Sequence, residues 1–85
     1  MENLKNIIQK SYDNKVVRDY FVFDFEGFKV NFNNDYGQWY FRLWKGQECV
    51  YESGMLTYGN KLTASDIEKA AQMIYTEIQR SKLPF

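Results

Sequence analysis

Cys49, Arg42, Glu48 and Glu52 are the residues whose types and spacing come nearest to chemistry. A cationic neighbour lowers a thiol's pKa and makes it nucleophilic, so Cys49 facing Arg42 across paired strands would be a candidate reactive thiol. Its plainer role is that of a small, half-exposed apolar residue. Paired carboxylates can act as general acid and base, and Glu48 with Glu52, or Asp24 with Glu26, are the available sets. Neither set has a partner or a pocket visible in the sequence, and charged residues beside hairpin turns are ordinarily solvated. Asp13-Asn14 and Asn33-Asn34-Asp35 with Gly37 share only composition with calcium loops, since the EF-hand spacing and its closing Glu are absent. Gly59-Asn60-Lys61-Leu62-Thr63 likewise lacks phosphate-loop spacing. With no His and a single Cys, a zinc site of the usual Cys/His type and a His-dependent triad are both excluded. The sequence names no catalytic residue, no metal and no cofactor, and the expectation is a non-enzymatic protein.

The elements that would position these residues are much more legible. Across a two-residue turn at Glu26-Gly27, Phe25 faces Phe28, Phe23 faces Val30 and Phe21 faces Phe32, all on one side of the ribbon. Tyr20, Val22 and Asp24 fall on the other side against Asn33, Asn31 and Lys29. A one-residue slip would undo this sorting, so the register is strongly specified. The patterning predicts strands over about 16–25, 28–33, 38–44 and 47–53, with turn formers at 33–37. In the third strand Trp39, Phe41 and Leu43 point inward while Tyr40, Arg42 and Trp44 point outward. Taking Lys45-Gly46 as the next loop sets Val50 against Phe41 on the core side. It sets Tyr51 against Tyr40 and Cys49 against Arg42 on the outer side. Glu48 then sits awkwardly beside Leu43, a fault that a bulge near the turn would relieve.

Helices flank the strands. Leu4, Ile7, Ile8 and Tyr12 form one apolar stripe over 2–12. Thr63 is the expected N-cap of a second helix, with Asp66 closing a capping box and Leu62 and Ile67 at the staple positions. Ile67, Ala70, Ala71, Ile74 and Ile78 form its buried stripe, and Pro84 stops any continuation. Met55, Leu56 and Leu62 are expected to pin the loop between the last strand and this helix. The fold class is therefore a single α+β domain over 1–85. It is a four-stranded antiparallel meander with N- and C-terminal helices in the order α-β-β-β-β-α, packed as two layers with both helices on the Phe-rich face.

Such a fold leaves one sheet face open, and composition says what is on it. The 85 residues include seven Phe, seven Tyr and two Trp, more aromatics than so small a core can enclose. The outer face is expected to carry Tyr20, Tyr40, Arg42, Trp44 and Tyr51, with Val22, and these are the residue types enriched at binding hot spots. Cross-strand aromatic pairs also stabilise an exposed sheet without any partner. Eleven basic and eleven acidic residues give zero net charge, without the basic excess of a phosphate-binding protein. The expected partner is another protein, with nucleic acid disfavoured.

Zero net charge and free edges at the first and fourth strands favour a homodimer. No signal peptide or membrane span is apparent, so the expected location is cytoplasmic. Phage or mobile-element products that block a host enzyme, anti-CRISPR proteins among them, are one class with these properties, although no motif selects it. The alternatives are a single-stranded nucleic-acid-binding module, which would stack bases on the aromatics, and a homo-oligomeric structural protein.

Overall fold

Three two-residue turns set the architecture. A computed structural model describes residues 2–82, so Pro84 and its expected role as a helix stop lie outside the described residues. Glu26 and Gly27 both take positive φ, 50° and 85°, the conformation whose twist matches that of the strands it joins. They connect β1 (Tyr20–Phe25) to β2 (Phe28–Asp35) in the expected register, from Phe25 opposite Phe28 to Tyr20 opposite Asn33. β1 is shorter than the periodicity suggests. Arg18 and Asp19 form a turn, and Val17 folds back to bridge Tyr20.

β2 is longer than expected. Asn34 and Asp35 do not turn; they stay in the ladder opposite Trp39 and Gln38. The turn itself is Tyr36-Gly37, with φ of 55° and 79°. Beyond it β3 (Gln38–Lys45) runs back along β2 with Trp39, Phe41 and Leu43 buried.

The last hairpin corrects the sequence reading. Its loop is Gly46-Gln47 rather than Lys45-Gly46, with Gly46 at φ 62° in the first turn position, where a II′-type turn requires glycine. In β4 (Glu48–Glu52), Glu48 pairs with Lys45 and Cys49 with Trp44; the ladder then shifts, so that Tyr51 pairs with Leu43 and Glu52 with Arg42. Val50 is the extra residue of the resulting bulge. Because faces alternate residue by residue, one inserted residue turns the rest of the strand over. Val50 is thus exposed instead of core-facing, and Tyr51 packs against the core with its ring 5.9 Å from Phe41. Glu48 is taken away from Leu43 by the position of the loop, which pairs it with Lys45 ahead of the bulge.

Where β4 ends, side chains take over its pairing. Ser53 N–H donates to the Phe41 carbonyl and Ser53 Oγ accepts from Phe41 N–H, both at 2.9 Å. Leu56 N–H donates to the Trp39 carbonyl at 2.8 Å, and Thr57 Oγ1 accepts from Trp39 N–H at 3.0 Å. The irregular loop 53–62 thereby satisfies backbone groups of β3 that would otherwise be orphaned against the core. Trp39 Nε1 donates to the Asn60 carbonyl at 2.7 Å, and Leu56 and Leu62 are buried. Met55, expected to pin this loop, is instead exposed.

Both helices cover the Phe-rich face. α1 (Glu2–Asp13) buries Leu4 and Ile8, and its Tyr12 ring meets Phe21 and Trp39 edge-on at 5.9 and 5.7 Å. α2 (Ala64–Ser81) begins at the expected capping box. Asp66 N–H donates to Thr63 Oγ1 at 3.2 Å, and Thr63 N–H donates to the Asp66 carboxylate at 2.9 Å. Its stripe of Ile67, Ala70, Ala71, Ile74 and Ile78 is buried against the sheet aromatics and α1. At the far end Lys82 holds Glu26 at 2.7 Å, tying α2 to the first turn. The strand order is β1-β2-β3-β4, and the sheet's opposite face carries no helix among the described residues.

Candidate functional site

The open face is a grid fixed by the registers. One row is Tyr20, Asn33 and Tyr40; the next is Val22, Asn31, Arg42 and Glu52; the third is Asp24, Lys29, Trp44 and Cys49. Residues two apart along a strand lie roughly 7 Å apart, so the three rows form one continuous surface. Tyr20, Tyr40, Arg42 and Trp44 stand on it together, as their alternation requires. Tyr51 does not join them, because the bulge at Val50 places it on the helix side. Glu52 occupies the place beside Arg42 that was expected for Cys49.

Tyr40 is the most enclosed residue of this face, only 8% exposed although no helix lies over it. Its hydroxyl donates to Asp35 Oδ2 at 2.9 Å, and the Arg42 guanidinium lies over its ring, 5.3 Å from the centroid. Burial raises the Tyr40 phenol above its ordinary pKa, the hydrogen bond to Asp35 raises it further, and the Arg42 charge pulls the other way. Arg42 Nε is in turn held by Glu52 Oε2 at 2.7 Å, a bond that raises the guanidinium's already high pKa. Asp35, Tyr40, Arg42 and Glu52 thus form one chain of contacts across β2, β3 and β4. Elsewhere on the face Asn33 donates to Asn31, and Lys29 lies 3.8 Å from Asp24.

The sequence reading missed two members of this chain. Asp35 had been assigned to a turn and Glu52 treated as a general acid–base candidate. Recognising Tyr36-Gly37 as the two-residue turn would have placed Asp35 opposite Gln38, on the same face as Tyr40. Nothing in the sequence placed Glu52 beside Arg42, because its face depends on the bulge.

The arrangement positions aromatic and hydrogen-bonding groups rather than reactive ones. The thiol of Cys49 is exposed and donates weakly to the Tyr51 carbonyl at 3.6 Å, and its cross-strand partner is Trp44 rather than Arg42. Among the described residues no cluster of His, Cys, Asp and Glu could hold a metal ion, and no helix is long and apolar enough to cross a membrane. Comparison with protein-family models, with curated proteins and with solved structures finds no match to this chain.

Proposed function

We propose that this protein acts by binding another protein through the open face of its sheet. The observation that carries the reading is the chain Asp35–Tyr40–Arg42–Glu52 set among Tyr20 and Trp44. It holds hot-spot residue types in fixed positions before any partner arrives, which lowers the ordering cost of association. Its cations are already matched: Arg42 by Glu52, and Lys29 by Asp24. A partner that excludes water from this face would therefore strand no unpaired cation. The same pairing argues against a nucleic-acid backbone, which needs cations free to neutralise phosphates.

Blocking an enzyme by occupying its surface suits such a face and requires no catalytic group on this chain. The reading includes a cytoplasmic location, in keeping with a free, exposed thiol at Cys49.

The test places a photocrosslinking amino acid at Asn31, at the centre of the face, or at Gln72 on the exposed side of α2. Each variant is irradiated in extract of the source cells. The expected result is one discrete adduct from position 31, absent from position 72 and lost when Trp44→Ala is added. Adducts confined to position 72 would overturn the reading. So would a salt-sensitive complex with single-stranded oligonucleotide near micromolar Kd, well tighter than the roughly 10⁻⁴ M or weaker expected of non-specific contact.

A further inference from the structure

β1 is an edge strand whose outer side is only partly closed. Asn34 N–H bonds to the Asp19 carbonyl at 2.9 Å, which fixes the phase of the β1–β2 ladder. By alternation, the backbone groups of Phe21, Phe23 and Phe25 point to β2, and those of Tyr20, Val22 and Asp24 point away. Val17 bridges Tyr20, which leaves the N–H and C=O of Val22 and Asp24 directed outward with no described strand beside them. Where this free stretch meets the end of α1, an apolar groove of about 310 Å³ opens between Val16, Val17, Tyr20, Phe21 and Val22. Val16 is 99% exposed. Natural edges are ordinarily blunted by charge, proline or a covering segment; here Val17 covers only Tyr20, and Asp24 is the one charge on the free stretch.

We propose that this edge accepts an extended segment of a different protein as a short fifth strand, antiparallel to β1. A basic residue of that segment would lie opposite Asp24, an apolar residue opposite Val22, and a bulky apolar side chain would enter the groove. The Asp24 side chain is 82% exposed and meets Lys29 through a single 3.8 Å contact; a carboxylate has acceptor sites for a second cation from a neighbouring strand. The groove exceeds the roughly 150 Å³ of apolar cavity that holds a benzene-sized group.

A second copy of this chain fits poorly. Centring a symmetric β1–β1 pair on Asp24 sets two carboxylates against each other. Centring it on Val22 drives the copy into Val17, which already occupies the position beside Tyr20, and centring it on Phe23 sets each Asp24 against the copy's Val22, where no cation meets it. The occupant is therefore a heterologous strand, recognised as in other cases of β-augmentation, by backbone bonds with side-chain pockets for selectivity.

The probe is a fluorescent peptide, Thr-Lys-Val-Ile-Phe, with Lys set to face Asp24 and Ile set to face Val22, so that it ends opposite Phe21 and short of Val17. The expected result is saturable binding in fluorescence anisotropy. Methylating the Ile amide nitrogen, which removes one ladder bond, should weaken binding about tenfold. Val22→Pro should do the same while thermal stability is retained, because the lost N–H faces away from β2 and edge strands tolerate proline there. Replacing the peptide's Lys by Glu should weaken binding to the natural protein and restore it to Asp24→Lys. No saturation below about 1 mM, a range weaker than meaningful recognition, would overturn the proposal. So would indifference to amide methylation in the natural protein. A dimer that Val22→Pro converts to monomer would also overturn it, by assigning the edge to a second copy.

Discussion

The two faces of the sheet carry the same class of residue and use it in opposite ways. On the helix side Phe21, Phe32 and Phe41 form one row, Phe21 stacked on Phe32 with centroids 4.7 Å apart at 7° and Phe41 tilted 39° against Phe32, closed over by α1 and α2. Those rings are held by packing alone. On the open side Tyr40, Arg42 and their carboxylates are held by directed bonds, with no second layer above them. The lesson is that an aromatic count does not separate stability from recognition; what covers the ring, and whether a polar tip is anchored, does.

The most damaging test of this contrast is Phe32→Ala. Phe32 is fully buried at the centre of the covered row, and truncation should cost about 3–5 kcal/mol, enough to threaten a domain of this size. A urea melt reads it directly. Phe23, on the edge strand and only partly buried, should lose distinctly less. Trp44→Ala on the open face should behave differently again. Its cost in the same melt should be about 1 kcal/mol, while affinity for the crosslinked partner should fall by about 2 kcal/mol or more. If Trp44→Ala destabilised the fold as much as Phe32→Ala does, the open face would be a second core and not a binding surface.

Tyr40→Phe sharpens the comparison by removing only the polar tip. The lost bond to Asp35 should cost about 1 kcal/mol near neutral pH. The pH dependence has a definite sign. The phenol is raised in the folded protein above its ordinary value of 10.0. Its contribution is therefore complete below pH 10 and is lost as pH climbs from there through the folded-state value, because only the unfolded chain ionises first. Chemical melts between neutral pH and pH 11 should show a loss in the natural protein that is reduced in Tyr40→Phe.

Smaller still is Tyr36→Asn. Tyr36 is fully exposed and holds φ of 55°, a conformation uncomfortable for a bulky side chain and natural for Asn before Gly. The substitution should raise stability by about 0.5 kcal/mol, visible as a higher melting temperature, since no contact is lost.

The least effect is expected from deleting Val50. Without it Leu43 still pairs with Tyr51 and Arg42 with Glu52, now in an unbroken ladder, so the melting temperature should change little. Substantial unfolding would show that the extra twist of the bulge is needed to bring β4 under α2.

The sequence by itself determined the order of elements, the register and faces of the first hairpin, the inward set of β3, and the capping box and buried stripe of α2. Each of these is a local matter, because periods of 2 and 3.6 sort side chains regardless of what lies beyond the segment. It also placed Tyr20, Tyr40, Arg42 and Trp44 on one face. Tertiary structure alone decided the rest. Whether Asn34 and Asp35 turn or pair depended on Tyr36 accepting a left-handed conformation in the next turn. Whether Tyr51 or Glu52 joins the open face depended on a single bulged residue, which inverts a strand without leaving a mark in its composition. The hydroxyls of Ser53 and Thr57 that complete β3, and the fold-back of Val17 that covers only the first outward-facing residue of β1, are long-range or loop contacts with no periodicity to reveal them. A strand's pattern states which side chains share a face; only the assembled sheet states what stands beside its edge.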